Sequence, residues 1–541
     1  MKKIIFSLCL LPLAFTSCTD LDETIYDTIA AEKYEFTAED AASMFSPLYS
    51  NLRNMYWGWN GLNDISEECS DLWCTPFRIG VGWGDLYITL HQHTYVNTLD
   101  HVWTEWYYGY NGITACNQLL DDEGVQSSPT AVAQLRGYRA LYYYLLFDLF
   151  RNIPLDTTYD HPDGWQPSQA KPQETWDFII SELNDIKGKC GADNGMGQIN
   201  DATVNMILAK MYLNHEAWFR DGDKSFYGKA IDVVNEIIDS KQYALSANYL
   251  DNFKEDISGS PEIIFGIPFE YLYASGNCYA NKWMNEAGRA TWGFNGWATG
   301  GSACLPQFLA TYDKDDMRLN ETWIWGQQYA LNGDPIITDD GPLVYTTTLS
   351  SINGCYPMEG ARLVKYEIIG GDWGTSYDDV PFFRYADALM IKAECLLRLG
   401  GYKGETEQDA ANLVTQVRQR NFANPAKATR TVAQLKGGSC YKYGYQETDP
   451  NTGEKFETTE GGADIILGGL LDDLAWEFIG EHHRRQDLVR FTMTNGQNVY
   501  NGKSWFCKKA LTDVNDHHLD IFPIGIDFLD GNPNLVQNPG Y

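Results

Sequence analysis

Residues 127–154 form the segment that most constrains how this chain can fold, because their pattern predicts one long buried helix. Ser128 can cap the helix, Pro129 fits its first turn, where no N–H is needed, and Pro154 ends it. Apolar residues recur at three- and four-residue steps on one face, and aromatic residues fill the other sides. A buried strand is the alternative for residues 140–147, but about twenty residues without an internal proline exceed the usual strand. A helix apolar nearly all round has to be covered by other helices, so we expect it at the centre of a helical fold.

Amphipathic helical patterns recur along the chain and predict a scaffold of paired helices. The pairs have the size and spacing of degenerate tetratricopeptide-type repeats. Two other segments are rich in glycine and large rings, which predicts irregular loops with short strands. We therefore expect a mostly α-helical, tetratricopeptide-like repeat scaffold with an irregular, loop-rich half. The helices are expected mainly in residues 37–55, 100–245, 383–421 and 464–491, with one continuous helix over 464–490, and the loops mainly in residues 56–95 and 261–382.

The composition narrows the classes of partner. The 541-residue chain has 73 acidic and 40 basic residues and a formal charge of −33, so it repels phosphate backbones and anionic lipid. This charge argues against a nucleic-acid partner and leaves a neutral ligand or a partner protein. The 12 cysteines are scattered, with no C-x-x-C pair and no Cys/His pattern of zinc spacing, so we predict no metal site and no cofactor.

The N-terminus has the layout of a bacterial secretory signal. Lys2 and Lys3 precede an apolar run over residues 4–15, which is too short to span a bilayer, and the small residues before Cys18 resemble a lipobox. We therefore expect residues 1–17 to be a signal peptide, Cys18 to carry a lipid, and residues 18–541 to form one domain. The acidic segment after Cys18 resembles the surface-export signal of Bacteroidetes lipoproteins.

Four motifs, in order along the chain, resemble the SusD/RagB family of outer-membrane lipoproteins that bind nutrient glycans. They are R-x-x-R-A-x-x-Y-x-x-L-x-x-x-F-x-x-I-P-L at 136–155, FRYADALMIKAECLLRLG at 383–400, E-F-x-G-E-x-x-R-x-x-D-L-x-R at 477–490, and the ending at 522–541. The resemblance implies a non-enzymatic protein on the extracellular face of the outer membrane. Such a protein captures neutral oligosaccharide or polysaccharide and delivers it to a SusC-like TonB-dependent transporter.

Two ring-rich loop segments, residues 73–87 and 283–297, are the candidate binding site. Both contain several glycines, so we expect them at the surface, and we predict that they converge on the helical scaffold. Flat rings can stack on the apolar faces of sugars, while amide and guanidinium groups fix the hydroxyls. The candidate glycan-binding residues are Trp83, Trp292 and Trp297, followed by Trp73, Trp283, Arg78 and Asn295.

Two other functions stay open at this point. A glycoside hydrolase would need two carboxylates on opposite sides of the scissile bond, and Glu67, Glu68 and Asp71 lie near the rings. Because these residues are neighbours in one segment, solvated acids are the better interpretation. A peptide-binding member of the same family is the third possibility. His91 and His93 could ligate a metal ion, but the spacing marks no third ligand.

Overall fold

A computed structural model describes residues 40, 43–56, 59–81, 84–192, 195–371, 375–449 and 452–541. The predicted signal peptide, Cys18 and Trp83 lie outside these residues. Within the described ranges, no helix has both the length and the hydropathy needed to cross a bilayer.

Helices provide most of the scaffold, as predicted. The longer ones are α1 (Ser46–Tyr56), α2 (Asp85–Gln92), α3 (Asp100–Leu120), α4 (Pro129–Phe150), α5 (Pro172–Ile186), α6 (Asp201–Phe219), α7 (Ser225–Ser240), α8 (Tyr385–Leu399), α9 (Glu407–Gln419), α10 (Gly468–Phe478) and α11 (Arg484–Arg490). Single-turn and two-turn helices include Leu62–Glu67, Tyr279–Trp283, Arg318–Thr322, Val432–Lys436 and Ile526–Gly531.

The helix predicted at the centre is α4, and it is buried along nearly its whole length. The Ser128 hydroxyl accepts a hydrogen bond from the Ala131 N–H, so the predicted cap is present. Helices α3, α5 and α6 pack around α4. The contact with α3 depends on glycine: a Cβ at Gly112 would lie 2.3 Å from the Tyr142 ring. The tyrosine ring therefore fills the space that a side chain at Gly112 would need.

Short strands lie mainly in the loop-rich half, as predicted. They are β1 (Trp73–Cys74), β2 (Ile263–Ile267), β3 (Ala303–Cys304), β4 (Trp323–Ile324), β5 (Gly326–Gln327), β6 (Ile337–Thr338), β7 (Gly341–Pro342), β8 (Val344–Tyr345), β9 (Arg362–Leu363), β10 (Val380–Arg384), β11 (Gly444–Thr448), β12 (Lys455–Glu457) and β13 (Trp505–Phe506). Antiparallel pairs join β1 to β3, β2 to β10, β4 to β9, β5 to β8, and β6 to β7, and β11 lies between β12 and a parallel β13.

The prediction of one continuous helix over residues 464–490 is wrong. The chain leaves the helical conformation between α10 and α11, where Gly480 has φ 77° and His482 has φ 57°. The carbonyl groups freed by the break accept hydrogen bonds from distant residues. Lys365 donates to the carbonyl of Ile479 at 2.8 Å, and the Tyr366 hydroxyl donates to that of Gly480 at 2.9 Å. Tertiary contacts therefore satisfy the backbone that a continuous helix would have satisfied internally.

A buried ion-pair network surrounds this break. Glu477 receives hydrogen bonds from the guanidinium groups of Arg318, Arg384 and Arg420 at 2.6–2.8 Å. Burial would raise the pKa of Glu477, but the three guanidinium groups outweigh it and hold the pKa well below its usual range. Four acidic and four basic side chains balance in this network, which comprises Glu262, Asp316, Arg318, Lys365, Arg384, Arg420, Glu477 and Glu481.

The described residues between 56 and 95 contain more regular structure than predicted. The segment contains the helix Leu62–Glu67 and helix α2, and many of its side chains are buried. Three of its acidic residues pair with distant cations: Asp64 and Glu68 pair with Lys282, and Asp71 accepts from the Arg484 guanidinium at 2.6 Å. These long-range ion pairs hold the segment in place despite its glycines.

Candidate functional site

Two tryptophans from distant parts of the sequence meet at the surface. The rings of Trp59 and Trp297 lie edge to face, with centroids 5.3 Å apart and planes at 79°. Trp297 is 40 % exposed, and Trp59 is partly exposed. Trp59 precedes the helix Leu62–Glu67, and Trp297 lies in the loop that follows the 3-10 turn Ala287–Thr291. Indole surface is therefore presented to solvent at a junction of two loops.

Hydrogen bonds below the pair fix both loops. The Asn281 side chain donates to the carbonyl of Trp297 at 2.6 Å. On the other side, the N–H of Asn60, next to Trp59, donates to the carboxylate of Asp64 at 3.1 Å. These hydrogen bonds fix the backbone of Trp297 directly and the backbone of Trp59 through its neighbour Asn60.

A buried ion cluster joins these two supports. Lys282, next to Asn281, forms ion pairs with Asp64 and with Glu68, the latter at 2.7 Å, and its ammonium lies 4.5 Å from the centroid of the Tyr87 ring. Burial alone would lower the pKa of Lys282, but the two carboxylates outweigh it and raise the pKa above its usual value. Likewise, burial would raise the pKa of Asp64, but Lys282 and His101 outweigh it and lower that pKa. The cluster is charged in the folded protein and ties the two ring-bearing loops together.

Further polar and aromatic groups extend the exposed area. Trp292 is half-buried, and Asn295 is exposed. The Arg289 side chain donates to the carbonyl of Gly296 at 3.0 Å and so closes the loop that carries Trp292, Asn295 and Trp297. A Cβ at Gly370 would lie 2.7 Å from the Trp292 carbonyl, so glycine there lets a neighbouring loop approach. We call Trp59, Trp292, Asn295 and Trp297 the ring surface.

The predicted convergence of segments 73–87 and 283–297 is confirmed, but it also buries some of the candidate residues. The rings of Trp73 and Trp283 meet edge to face at 5.0 Å, and Trp323 packs on Trp283 at 5.8 Å. All three are buried, since β1 pairs with β3 beneath the surface. The expectation that Trp73 and Trp283 present ring faces to a ligand is therefore corrected, because these rings are packed on one another in the core.

Arg78 is also corrected. Its guanidinium is fully buried and donates to the carbonyl groups of Gly301, Tyr356 and Glu359 at 2.8–3.0 Å. These bonds tie the Arg78 segment to the loops at Gly301 and at residues 356–359, and because the guanidinium is fully buried it does not face a ligand. Of the remaining predicted residues, the structure brings Trp292, Asn295 and Trp297 into one exposed loop, while Trp83 lies outside the described residues.

The carboxylates considered for hydrolysis are buried and paired. Asp71 binds Arg484, Glu68 binds Lys282, and Glu67 accepts from the backbone N–H of His483 at 3.1 Å. Burial raises the pKa of Glu67 to about 8. None of the three carboxylates lies at the surface, so the structure assigns them to support of the fold.

The histidines considered for metal binding are buried too. His93 lies 2.7 Å from the carbonyl oxygen of Cys69, and burial lowers the pKa of His91 to about 3. Over the residues that the structure describes, no group of three or more His, Cys, Asp or Glu side chains is placed to hold a metal ion.

The sequence pattern of the SusD family matches residues 235–541, more than half of the chain. The chain belongs to the SusD family. The starch-binding protein SusD of Bacteroides thetaiotaomicron is 26 % identical over 81 % of this chain and 78 % of that protein. A SusD-like protein, P25 of Formosa agariphila, is 20 % identical over 89 % of this chain and 83 % of that protein. SusD-family proteins bind carbohydrate and are not enzymes, so the expectation of a non-catalytic protein is confirmed.

Solved structures of SusD-like proteins share the fold of this family member. Surface glycan-binding protein A of B. thetaiotaomicron, in complex with laminarihexaose, aligns with a TM-score of 0.65 at 19 % identity, over 92 % of this chain and 99 % of that one. B. fragilis NanU aligns with a TM-score of 0.68 at 17 % identity, over 96 % of this chain and 100 % of that one. The predicted SusD-like fold is therefore confirmed.

Sequence reasoning missed two residues of the candidate site. Trp59 lies in a segment predicted to carry exposed rings. The glycines beside it, at 58 and 61, indicate a place where another loop can approach closely. Lys282 carries no such signal, because its two carboxylate partners lie more than 200 residues away along the chain. Only the folded structure shows that it connects the two loops.

Proposed function

We propose that this chain binds neutral oligosaccharide or polysaccharide at the ring surface, without cleaving it. One observation carries the proposal: the partly exposed indole rings of Trp59 and Trp297 meet above the buried Lys282 cluster. Relatives named for binding starch, glycan and laminarin support the same class of ligand.

The chemistry of the surface suits a sugar. Indole faces stack on the weakly hydrated C–H faces of pyranose rings, and the exposed Asn295 amide can both donate to and accept from hydroxyl groups. The loops are fixed before binding, so little conformational entropy is lost when the ligand arrives. The formal charge of −33 disfavours anionic polymers and leaves neutral ones.

The finer steps of the function are also part of this proposal. We infer that Cys18 carries a lipid, that the protein is held on the extracellular face of the outer membrane, and that it passes its ligand to a SusC-like TonB-dependent transporter. The signal-like residues 1–17 and relatives named as surface glycan-binding proteins support this arrangement. Trp83 stays a predicted member of the glycan site.

Replacing Trp297 with alanine tests the site. Each stacked ring contributes about 0.5–1.5 kcal/mol, so we expect Trp297→Ala to weaken glycan affinity by roughly two- to twelvefold. Affinity electrophoresis against plant, microbial and host polysaccharides finds the ligand, and calorimetry then measures the affinity. Phe456→Ala is the matched control, because this exposed ring on β12 lies outside the ring surface.

Three outcomes would contradict the proposal. Unchanged affinity of Trp297→Ala would remove the ring surface as the binding site. Release of reducing sugar from a bound polysaccharide would show hydrolysis. Binding of peptides and of no glycan in the panel would assign the chain to a peptide ligand instead.

A further inference from the structure

A second group of exposed rings lies along α3. Trp103 and Tyr107 are one turn apart, 38 % and 40 % exposed, with ring centroids at 4.6 Å and planes within 13°. Phe528, from the C-terminal segment, approaches Trp103 at 6.3 Å and the neighbouring Trp106 at 5.7 Å. A monomeric surface rarely leaves several large rings together in water without a binding role.

Two of these rings, Trp106 and Phe528, line a groove of about 280 Å3 between α3 and the C-terminal segment. Its walls include Trp106, Tyr110, Pro167, Phe528 and Asn532. The groove is mostly apolar, with a small number of polar groups, which is the usual composition of a small-molecule site.

Hydrogen bonds keep the walls of the groove together. The Gln166 side chain donates to the carbonyl of Gly531 at 2.8 Å, and the Asn532 side chain donates to the carbonyl of Pro167 at 2.8 Å. Gln169 and Val536 exchange a further pair of hydrogen bonds at 2.8–3.0 Å. The loop and the C-terminal segment therefore form a fixed cleft.

Trp165, on the same loop, is a prepared stacking surface. The His161 ring lies parallel to the indole, at 3.5 Å and 2°, and is held by Asp156 at 2.9 Å. Trp165 is nevertheless 42 % exposed, so part of the indole is open to solvent. A flat, immobilised indole with exposed surface can stack on a pyranose ring.

The charges of the residues that line the groove indicate which class of ligand it can bind. Among the described residues that line it, none is Lys or Arg, and Asp527 is the acidic one. A phosphate or sulfate group would find no cation here, whereas hydroxyl groups can bond to the carboxylate, amides and carbonyls. A neutral, hydroxyl-rich ligand therefore fits better than an anion.

Helix α3 connects this groove to the ring surface. At its start, His101 lies 3.7 Å from Asp64, the residue that fixes the Trp59 loop. Tyr110 lies nine residues further along, about 14 Å at 1.5 Å per residue. A chain of several sugar units is long enough for this scale of separation, whereas a disaccharide is too short and would occupy one surface.

We infer that α3, the loop with Trp165 and the C-terminal segment form a second carbohydrate-binding surface, which engages a polysaccharide chain held at the same time by the ring surface. This inference rests on the proposed function. Two linked contacts raise the affinity for the polymer without improving that for a short fragment.

The test compares a polymer with its own disaccharide. The panel includes starch and laminarin, and calorimetry on the full chain uses the polysaccharide that binds most tightly. We expect Tyr107→Ala/Trp165→Ala to weaken polymer binding about tenfold and to leave disaccharide binding unchanged, whereas Trp297→Ala weakens both. Trp165→Ala alone, in a surface loop, is expected to weaken polymer binding about threefold, and Phe456→Ala is the control.

Any of the following results would overturn the inference. Polymer affinity unchanged in the double and single variants would overturn the second surface while leaving the ring surface intact. Native protein that binds polymer no more tightly than disaccharide would overturn it as well. Lost association with a TonB-dependent transporter, with polymer affinity unchanged, would assign this face to protein docking. No binding of any glycan by the native chain would instead remove the proposed function, and the inference with it.

Discussion

Replacing Lys282 with methionine tests how the ring surface is held. Methionine keeps most of the length and apolar volume of the lysine stem but removes the charge. In the native protein the ammonium pairs with Asp64 and Glu68 and lies over the Tyr87 ring. The variant removes the ammonium that these two buried carboxylates share, so both folding and binding should suffer.

The size of the effect follows from this geometry. Removing one partner of a buried ion pair costs about 3–5 kcal/mol, because the remaining charge stays buried. For a chain of 541 residues, with an unfolding entropy of about 1 kcal/mol/K, this lowers Tm by about 3–5 °C. Loosening two ordered side chains, Trp59 and Trp297, should cost a further 1–3 kcal/mol or so of binding free energy.

The pH dependence of stability follows from the directions of the two pKa shifts in this cluster. In the native protein the pKa of Asp64 is lowered, so its contribution is present above about pH 4 and lost as pH falls. The pKa of Lys282 is raised, so its contribution is present below about pH 10 and lost as pH rises. In Lys282→Met the unpaired carboxylates bind protons more readily when folded. The stability gap to the native protein should therefore narrow from pH 7 to pH 5.

Thermal melting by circular dichroism and calorimetric glycan titration measure the two effects. Lys455→Met is the matched control, since Lys455 is exposed on β12 and should change stability by less than about 0.5 kcal/mol. The neutral triple variant Asp64→Asn/Glu68→Gln/Lys282→Met should regain much of the stability, because no buried charge is left unpaired. A Lys282→Met protein that melts like the native one, or that loses stability with unchanged glycan affinity, would refute the reasoning.

Two further substitutions test the scaffold. Glu477→Gln leaves an excess positive charge in the buried network and should destabilise the fold by about 3–5 kcal/mol in urea unfolding, against an exposed Glu457→Gln control within about 0.5 kcal/mol. Because the pKa of Glu477 is lowered in the folded protein, the difference in unfolding free energy between the native protein and Glu477→Gln should narrow by about 1.4 kcal/mol per pH unit below about pH 4.3. A difference that stays constant would contradict the ion-pair assignment. Gly112→Ala forces a methyl group into the Tyr142 ring and should cost about 1–3 kcal/mol, whereas Gly259→Ala, with open space around it, should be nearly neutral in the same melting assay.

The sequence predicts an element well where the signal is local. The central helix carries its cap at Ser128, its first-turn proline and its apolar period within one segment, and α4 forms there. The segment 464–490 also has a continuous helical pattern, yet it breaks near Gly480. The break is stabilised by Lys365 and Tyr366, more than 100 residues earlier in the chain, and no local pattern contains that information.

The same distinction explains the candidate site. Glycine-rich segments correctly placed rings where two loops meet, but composition could not separate exposed rings from buried ones. Trp73 is buried because Trp283, over 200 residues later, covers it. Trp297 remains exposed because Trp59, which packs against it edge to face, covers only part of the Trp297 indole. Which ring a distant partner covers is decided by tertiary packing.

The residues that identify the family and the residues proposed to bind the ligand are different sets. Arg384 and Glu477, which belong to the second and third of the four motifs, lie in the buried ion network. Trp59 and Trp297 lie outside the motifs, on loops that the scaffold supports. Because the network is sealed from solvent, exchanging the ring-bearing loops would alter the ligand without disturbing these ion pairs. Family membership therefore fixes the fold, whereas the proposed ligand contacts belong to side chains outside the family motifs.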